Sequence, residues 1–158
     1  MTVSLWRIGS DTKDYEAHEL GGKGAEKTGG RWNRPGSPVV YAATTIALAC
    51  LETVVHLDTA GLPLNRFLVR IDVPDDIWVA RQVCPVAGLS IGWTAIPEGR
   101  VSLDVGDAWL AAKASALLLV PSVIIPEEFN VLVNPRHHDA GKLVALKLRA
   151  WFYDGRLT

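Results

Sequence analysis

PVVYAATTIALACLETVVHL, residues 38–57, changes character halfway along its length. Its first six residues set β-branched and aromatic side chains behind a proline and read as a short strand. From Thr44 a threonine cap introduces a run that is apolar on almost every side, the pattern of a helix buried on several faces. A strand that feeds straight into such a helix, with strand-like segments on either side, points to an α+β domain. Upstream, SLWRIG (4–9) is one such segment; downstream, RFLVRIDVP (66–74) and IWVARQV (77–83) also read as strands. The last third, LLLVPSVIIPEEFNVLVNP (117–135) and KLVALKLRAWFYD (142–154), reads as apolar strands broken at Pro121, Pro126 and Pro135. Gly106 and Asp107 are expected to open a short helix through DAWLAAKAS (107–115), whereas residues 84–99 are turn-rich and give no clear element. The expectation is a single compact domain over residues 1–158, with a mixed or antiparallel β core and few helices.

The bulk properties narrow the function. The chain has 158 residues, 49% of them hydrophobic, enough for one substantial core and too few for two ordinary domains. Sixteen Lys and Arg against seventeen Asp and Glu leave a formal net charge of -1, so no global field draws the protein onto nucleic acid or a membrane. Any anion site must be local. Cys50 and Cys84 have no CxxC spacing and suggest neither a disulfide framework nor a zinc knuckle. The start, MTVSLWRIGSDTKDYE, lacks the basic and apolar blocks of a secretory leader, and no apolar stretch reaches about 18 residues. A soluble, cytoplasmic protein is expected.

The segment before the opening stretch, GGKGAEKTGGRWNRPG (21–36), gathers cations and glycines between two strands. It fits neither GxGxxG nor GxxxxGK[ST], so as a pattern it is weak evidence for phosphate, and a mobile surface loop is the bland alternative. Arg31 stands out: it follows a Gly-Gly pair, where backbone N–H groups and a guanidinium can converge on an anion. Lys23, Lys27 and Arg34 read as solvated, and with Glu26 they leave only a small positive footprint for nucleic acid. Glu52 is more informative, because it sits at helical spacing from Leu48 and Val55 on a helix almost free of charge. A carboxylate buried there costs several kcal/mol unless a cation or hydrogen-bond donors meet it, so a structural ion pair to arginine and a catalytic role are equally compatible with the spacing. Arg7, between Trp6 and Ile8 in a strand, needs a partner, either Glu52 or a ligand phosphate. Tyr41 closes the strand before the helix, where pockets often open. Ser122, inside an apolar run, must find a hydrogen-bond partner; VPSV lacks the turn that exposes a nucleophilic serine. His137 and His138 are neighbours with no third ligand at useful spacing, so no metal is expected.

WRIG (6–9), GAEKTGGRWNRPGSPVVYAATTIALACLETVVH (24–56), VPSVIIPEEFNVLVNP (120–135) and KLVALKLRAWFYDGRL (142–157) together resemble the RES domain family. That family is named for recurring Arg, Glu and Ser residues. The resemblance implies a fold similar to the ADP-ribosyltransferase toxins. It implies a bacterial toxin that needs no cofactor and degrades NAD as its substrate by cleaving the nicotinamide–ribose bond, with water or inorganic phosphate as acceptor. The competing reading on the same fold is an ADP-ribosyltransferase that modifies a macromolecule. As partners it implies an Xre-type helix-turn-helix antitoxin and a toxin dimer within the complex. Carried over to this sequence, the family's polar set falls on Arg7, Arg31, Tyr41, Glu52 and Ser122. The resemblance implies that Glu52 stabilises the cationic ribose, that Arg7 and Arg31 clamp the pyrophosphate, and that Tyr41 stacks on nicotinamide. Ser122 is then expected to hydrogen-bond the carboxamide or the ribose, and Asn130 to organise backbone.

Overall fold

The computed structural model describes residues 1–57 and 61–157. In chain order its main elements are β1 (Thr2–Ser10), α1 (Lys23–Thr28), β2 (Val40–Ala43), α2 (Ile46–Val54), β3 (Arg66–Pro74), α3 (Asp75–Val79), β4 (Gln82–Val83), α4 (Arg100–Ala112), β5 (Leu117–Pro121), β6 (Phe129–Val133) and β7 (Val144–Ala150). The strands form one seven-stranded sheet in the order β4-β5-β6-β2-β1-β3-β7. The β4–β5 pair is parallel and the other pairs are antiparallel, so the sheet is mixed. The α+β reading holds.

Strand β5 is buried on both faces, which is why its sequence is an uninterrupted apolar run rather than an alternating one. Leu117 and Leu119 join Leu5, Val69, Ile71 and Val131 in one core cluster, while Leu118 and Val120 turn to the opposite side against Trp32, Trp109 and Leu110. A third cluster sets Leu48 and Ala49 of α2 against Ile8, Ala43 and Leu68. Thr45 caps α2, its side chain accepting from the Leu48 N–H at 3.1 Å, as the opening stretch foretells.

Three readings of local structure are corrected. IWVARQV is not a strand: Asp75 and Asp76, placed in the first turn directly after Pro74, start α3, and the strand shrinks to Gln82–Val83. Helix α4 begins six residues before Gly106, which lies mid-helix. There a Cβ would stand 1.7 Å from the Trp32 carbonyl oxygen, so this glycine is an approach point between helix and loop rather than a helix start. And α2 is not buried on several sides: only Leu48 and Ala49 are buried, Ala47 is exposed, and the rest of the helix is half-buried.

The feature that positions the site is a break in the sheet. Strands β1 and β3 share nine registered pairs from Thr2↔Pro74 to Ser10↔Arg66, whereas β1 and β2 share one, Trp6↔Ala43. Beyond that pair the strands splay, and a cavity opens in the gap.

Candidate active site

The cavity has a volume of about 820 Å³ and is lined from both sides of the break: Trp6, Arg7 and Ile8 from β1, and Val40, Tyr41, Ala42 and Ala43 from β2. Glu52 enters from α2, Asn130 from β6 and Arg31 from the glycine-rich segment. Arg7, Arg31, Tyr41, Glu52 and Asn130 thus line one cavity, and Ser122 lies directly behind Glu52.

Glu52 is the centre of the arrangement. Its Oε1 accepts from Ser122 Oγ at 2.6 Å and from Asn130 Nδ2 at 2.7 Å. Both donors hold the same oxygen, and among the described residues Oε2 has no protein partner and no cation pairs with the carboxylate. Two short bonds to one oxygen fix the rotamer and leave the other oxygen available to a ligand. Ser122 is fully buried behind the carboxylate. Its single proton goes to Glu52, and its oxygen accepts from the N–H groups of Ile124 and Ile125, both at 3.1 Å. The hydroxyl is therefore spent on the protein and is not among the groups that line the cavity.

Arg7 NH1 donates to the Tyr41 carbonyl at 3.0 Å, a partner other than the two weighed for it, while its Nε is a buried atom without one among the described residues. Burial pulls the guanidinium below the usual arginine range. A half-buried cation that meets only a carbonyl among the described residues leaves an unmet demand for an anion. Tyr41 is the second of four residues in β2, so the strand runs on past it. Its hydroxyl donates to Asn33 Oδ1 at 2.6 Å and accepts from the Trp32 N–H at 3.1 Å, so only the ring is free to meet a ligand. Burial drives the phenol's pKa far above its ordinary value and keeps it neutral.

The glycine-rich segment is ordered by neighbours. Its middle is the short helix α1, and the buried Asn33 donates to the carbonyls of Ala25 and Ser37 at 2.9 and 3.1 Å. Gly30 leaves room for Tyr41, whose hydroxyl oxygen would sit 2.7 Å from a Cβ there. Arg34 is not merely solvated: it pairs with Asp107 at 2.7 Å and Asp104 at 2.8 Å, tying the segment to α4. Arg31 NH1 donates to the Trp93 and Ala95 carbonyls at 2.9 and 3.0 Å, so this arginine also secures the cavity's edge.

A RES domain model matches residues 4–154. The chain belongs to the RES domain family. This RES domain is 55% identical over 157 residues to a protein of Sphingobium sp. (strain YBL2) named Prs ADP-ribosylating toxin, covering 99% of the chain and 98% of that relative. It is 39% identical to a Toxin Res of Pseudomonas putida, covering 86% of the chain and 87% of the relative. A Toxin Res of Yersinia enterocolitica is 37% identical, with coverage of 85% and 86%. Among solved structures, the crystal structure of the M. tuberculosis MbcT-MbcA toxin-antitoxin complex contains a chain of like fold, with a TM-score of 0.67 at 21% identity, covering 94% of this chain and 85% of that one.

Within this RES domain, Asn130 was misjudged from sequence: it holds the carboxylate instead of organising backbone. Tyr15, also on the cavity wall, gave no signal in its polar surroundings. Asp139 joins His137 and His138 in a group whose ligand atoms lie within 4.8 Å of one another, closer than the spacing suggested. Those groups are already engaged, since His137 Nδ1 accepts from the Asp139 N–H at 3.0 Å and the Asp139 carboxylate pairs with Lys142 at 2.8 Å. No helix among the described residues is long and apolar enough to cross a membrane.

Proposed function

We propose that this RES domain is a toxin that cleaves the nicotinamide–ribose bond of NAD, with Glu52 as the residue that makes cleavage possible. The observation that carries the reading is the carboxylate pinned through Oε1 by Ser122 and Asn130, with Oε2 unpartnered among the described residues, on a cavity that also holds Arg7, Arg31 and the Tyr41 ring. Heterolysis sends the C–N electron pair to the nicotinamide nitrogen, which leaves neutral, and builds positive charge on the ribose. A fixed carboxylate stabilises that oxocarbenium-like state more than the ground state, which is the requirement for acceleration. Arg7 takes the pyrophosphate with the N–H groups it does not spend on Tyr41. Arg31 adds its Nε and second amino group, and the Tyr41 ring stacks on the nicotinamide. Ser122 acts behind Glu52 as a positioning residue.

The acceptor is the open choice between water or phosphate and a macromolecule. The 55% identical relative named an ADP-ribosylating toxin favours the macromolecule. An acceptor lone pair then forms the bond to the ribose carbon as nicotinamide departs, and its proton passes to Glu52 or solvent. The Toxin Res relatives and the fold shared with a toxin of a toxin-antitoxin complex support neutralisation by a cognate antitoxin. An Xre-type partner, a toxin dimer and action in the cytoplasm complete the reading.

The test is Glu52→Gln, which keeps an oxygen for Ser122 and Asn130. With purified protein and NAD, nicotinamide release is expected to fall about a hundredfold or more, with an unchanged thermal midpoint. Wild-type turnover by a folded Glu52→Gln protein would remove Glu52 from the reaction. Product mass then separates the acceptors: free ADP-ribose or its phosphate marks degradation, and ADP-ribose mass on a protein marks transfer.

A further inference from the structure

Residues 89–99, which gave no readable element, form a lip on the cavity, with Ile96, Pro97 and Glu98 on its wall. The lip is held from beneath. Trp93 is 8% exposed and its ring centroid lies 6.4 Å from that of Trp32. Arg31 donates to the carbonyls of Trp93 and Ala95, and the Ala95 N–H donates to the Gly92 carbonyl at 3.1 Å, closing a turn. On either side of that turn stand Ile91, fully exposed, and Ile96, 85% exposed. Two aliphatic side chains are thus presented to water by backbone that is braced against movement. Across the mouth, Val55 and Ile124 line the cavity and are exposed as well. Glu16, Glu19 and Glu98 add exposed carboxylates to the same rim, where they outnumber one exposed cation, Lys23, although Glu16 also lies 3.7 Å from Lys147.

We propose that this lip is the docking surface for the protein that accepts ADP-ribose, one that presents an apolar patch with a basic flank beside the side chain to be modified. The inference rests on the transfer reading given above. Water or phosphate reaching the ribose has no use for exposed isoleucines at the entrance, whereas a protein nucleophile must be held over the cavity by contacts around it. Rigid apolar anchors lose little conformational entropy on binding and so contribute most of what their burial yields. The acidic rim selects a partner of opposite sign and speeds encounter.

The test uses the full chain and the variant I91D, at the exposed isoleucine of the lip that does not line the cavity. Nicotinamide release is measured without added protein, and incorporation of radiolabel from NAD into a soluble bacterial extract is measured beside it. The Ile91 side chain faces solvent, so the thermal midpoint should not move. Release is expected to stay within about twofold of wild type while labelling falls at least about tenfold. A second variant, E98K, is expected to lower labelling at low salt, with the deficit shrinking as salt screens the rim. Wild-type labelling by I91D overturns the proposal, whether the lip then serves an antitoxin or a second copy. An equal fall in both readouts also overturns it, because the lip would then support the cavity and not the acceptor. If the wild type releases nicotinamide but labels nothing, the transfer reading fails and takes the docking surface with it; if it does neither, the NAD reading itself has failed.

Discussion

Ser122 and Asn130 both hold Glu52 through Oε1, yet they differ in what else depends on them. Ser122 also accepts two backbone N–H groups, from Ile124 and Ile125. Ser122→Ala therefore strands two donors as well as freeing the carboxylate, and a buried donor left without an acceptor costs about 1–3 kcal/mol. It should lower both the thermal midpoint and turnover. Asn130→Ala removes one donor from Glu52 and leaves no buried backbone group unmet. Turnover is expected to fall roughly 10- to 100-fold through lost orientation, with little change in KM or midpoint. Steady-state kinetics beside a melting curve distinguishes the two. Glu52 and Ser122 were legible because each is a polar group in apolar surroundings, an anomaly visible along the chain. Asn130 was not, because its partner is 78 positions away, and nothing local to EEFNVLVNP says which carboxylate will face it.

Among the elements, α4 carries the sharpest expectation. Glycine inside a helix ordinarily costs about 1 kcal/mol relative to alanine, so Gly106→Ala would stabilise a free helix. Here the added methyl would meet the Trp32 carbonyl and side chain at 1.7 and 2.9 Å. Overpacking of this kind costs about 1–3 kcal/mol or more, and the sign reverses. A lowered thermal midpoint for Gly106→Ala checks it; a raised one would mean that helix and loop do not touch at this point. The same contact explains the misplaced helix boundary. A glycine in an amphipathic run reads as a terminus unless the chain that packs on it is known. The helix Asp75–Val79, which takes in only the first three residues of IWVARQV, escapes the sequence for a related reason, since Ile77, Trp78 and Val79 suit either state and two aspartates after Pro74 settle it.

At the scale of the whole molecule, the end of the chain returns to the site. Tyr153 OH and Thr53 Oγ1 share a hydrogen bond of 2.7 Å, and Trp151 and Tyr153 pack with Leu48 and Ala49 beneath the helix that carries Glu52. Truncation after Ala150 should therefore lower both the midpoint and NAD turnover, whereas Tyr153→Phe, which removes only the hydrogen bond, should cost about 1 kcal/mol and spare catalysis. A truncated chain with full turnover would show that the tail does not support α2. The alternation and Pro and Gly punctuation of the sequence sufficed for the α+β class, most of the strands and the capped helix, because these are set by local periodicity and capping. Charge anomalies sufficed to mark Arg7 and Glu52, and the Gly-Gly pair before it marked Arg31. Tertiary structure alone decided where they meet: β1 and β2 part beyond a single pair, Trp6↔Ala43, and the cavity lies in that break. It also gave Arg31 its two carbonyls and Glu52 its two donors. Such pairings join residues dozens of positions apart, and side-chain partners at that separation are fixed by strand order and register, which no window of sequence contains.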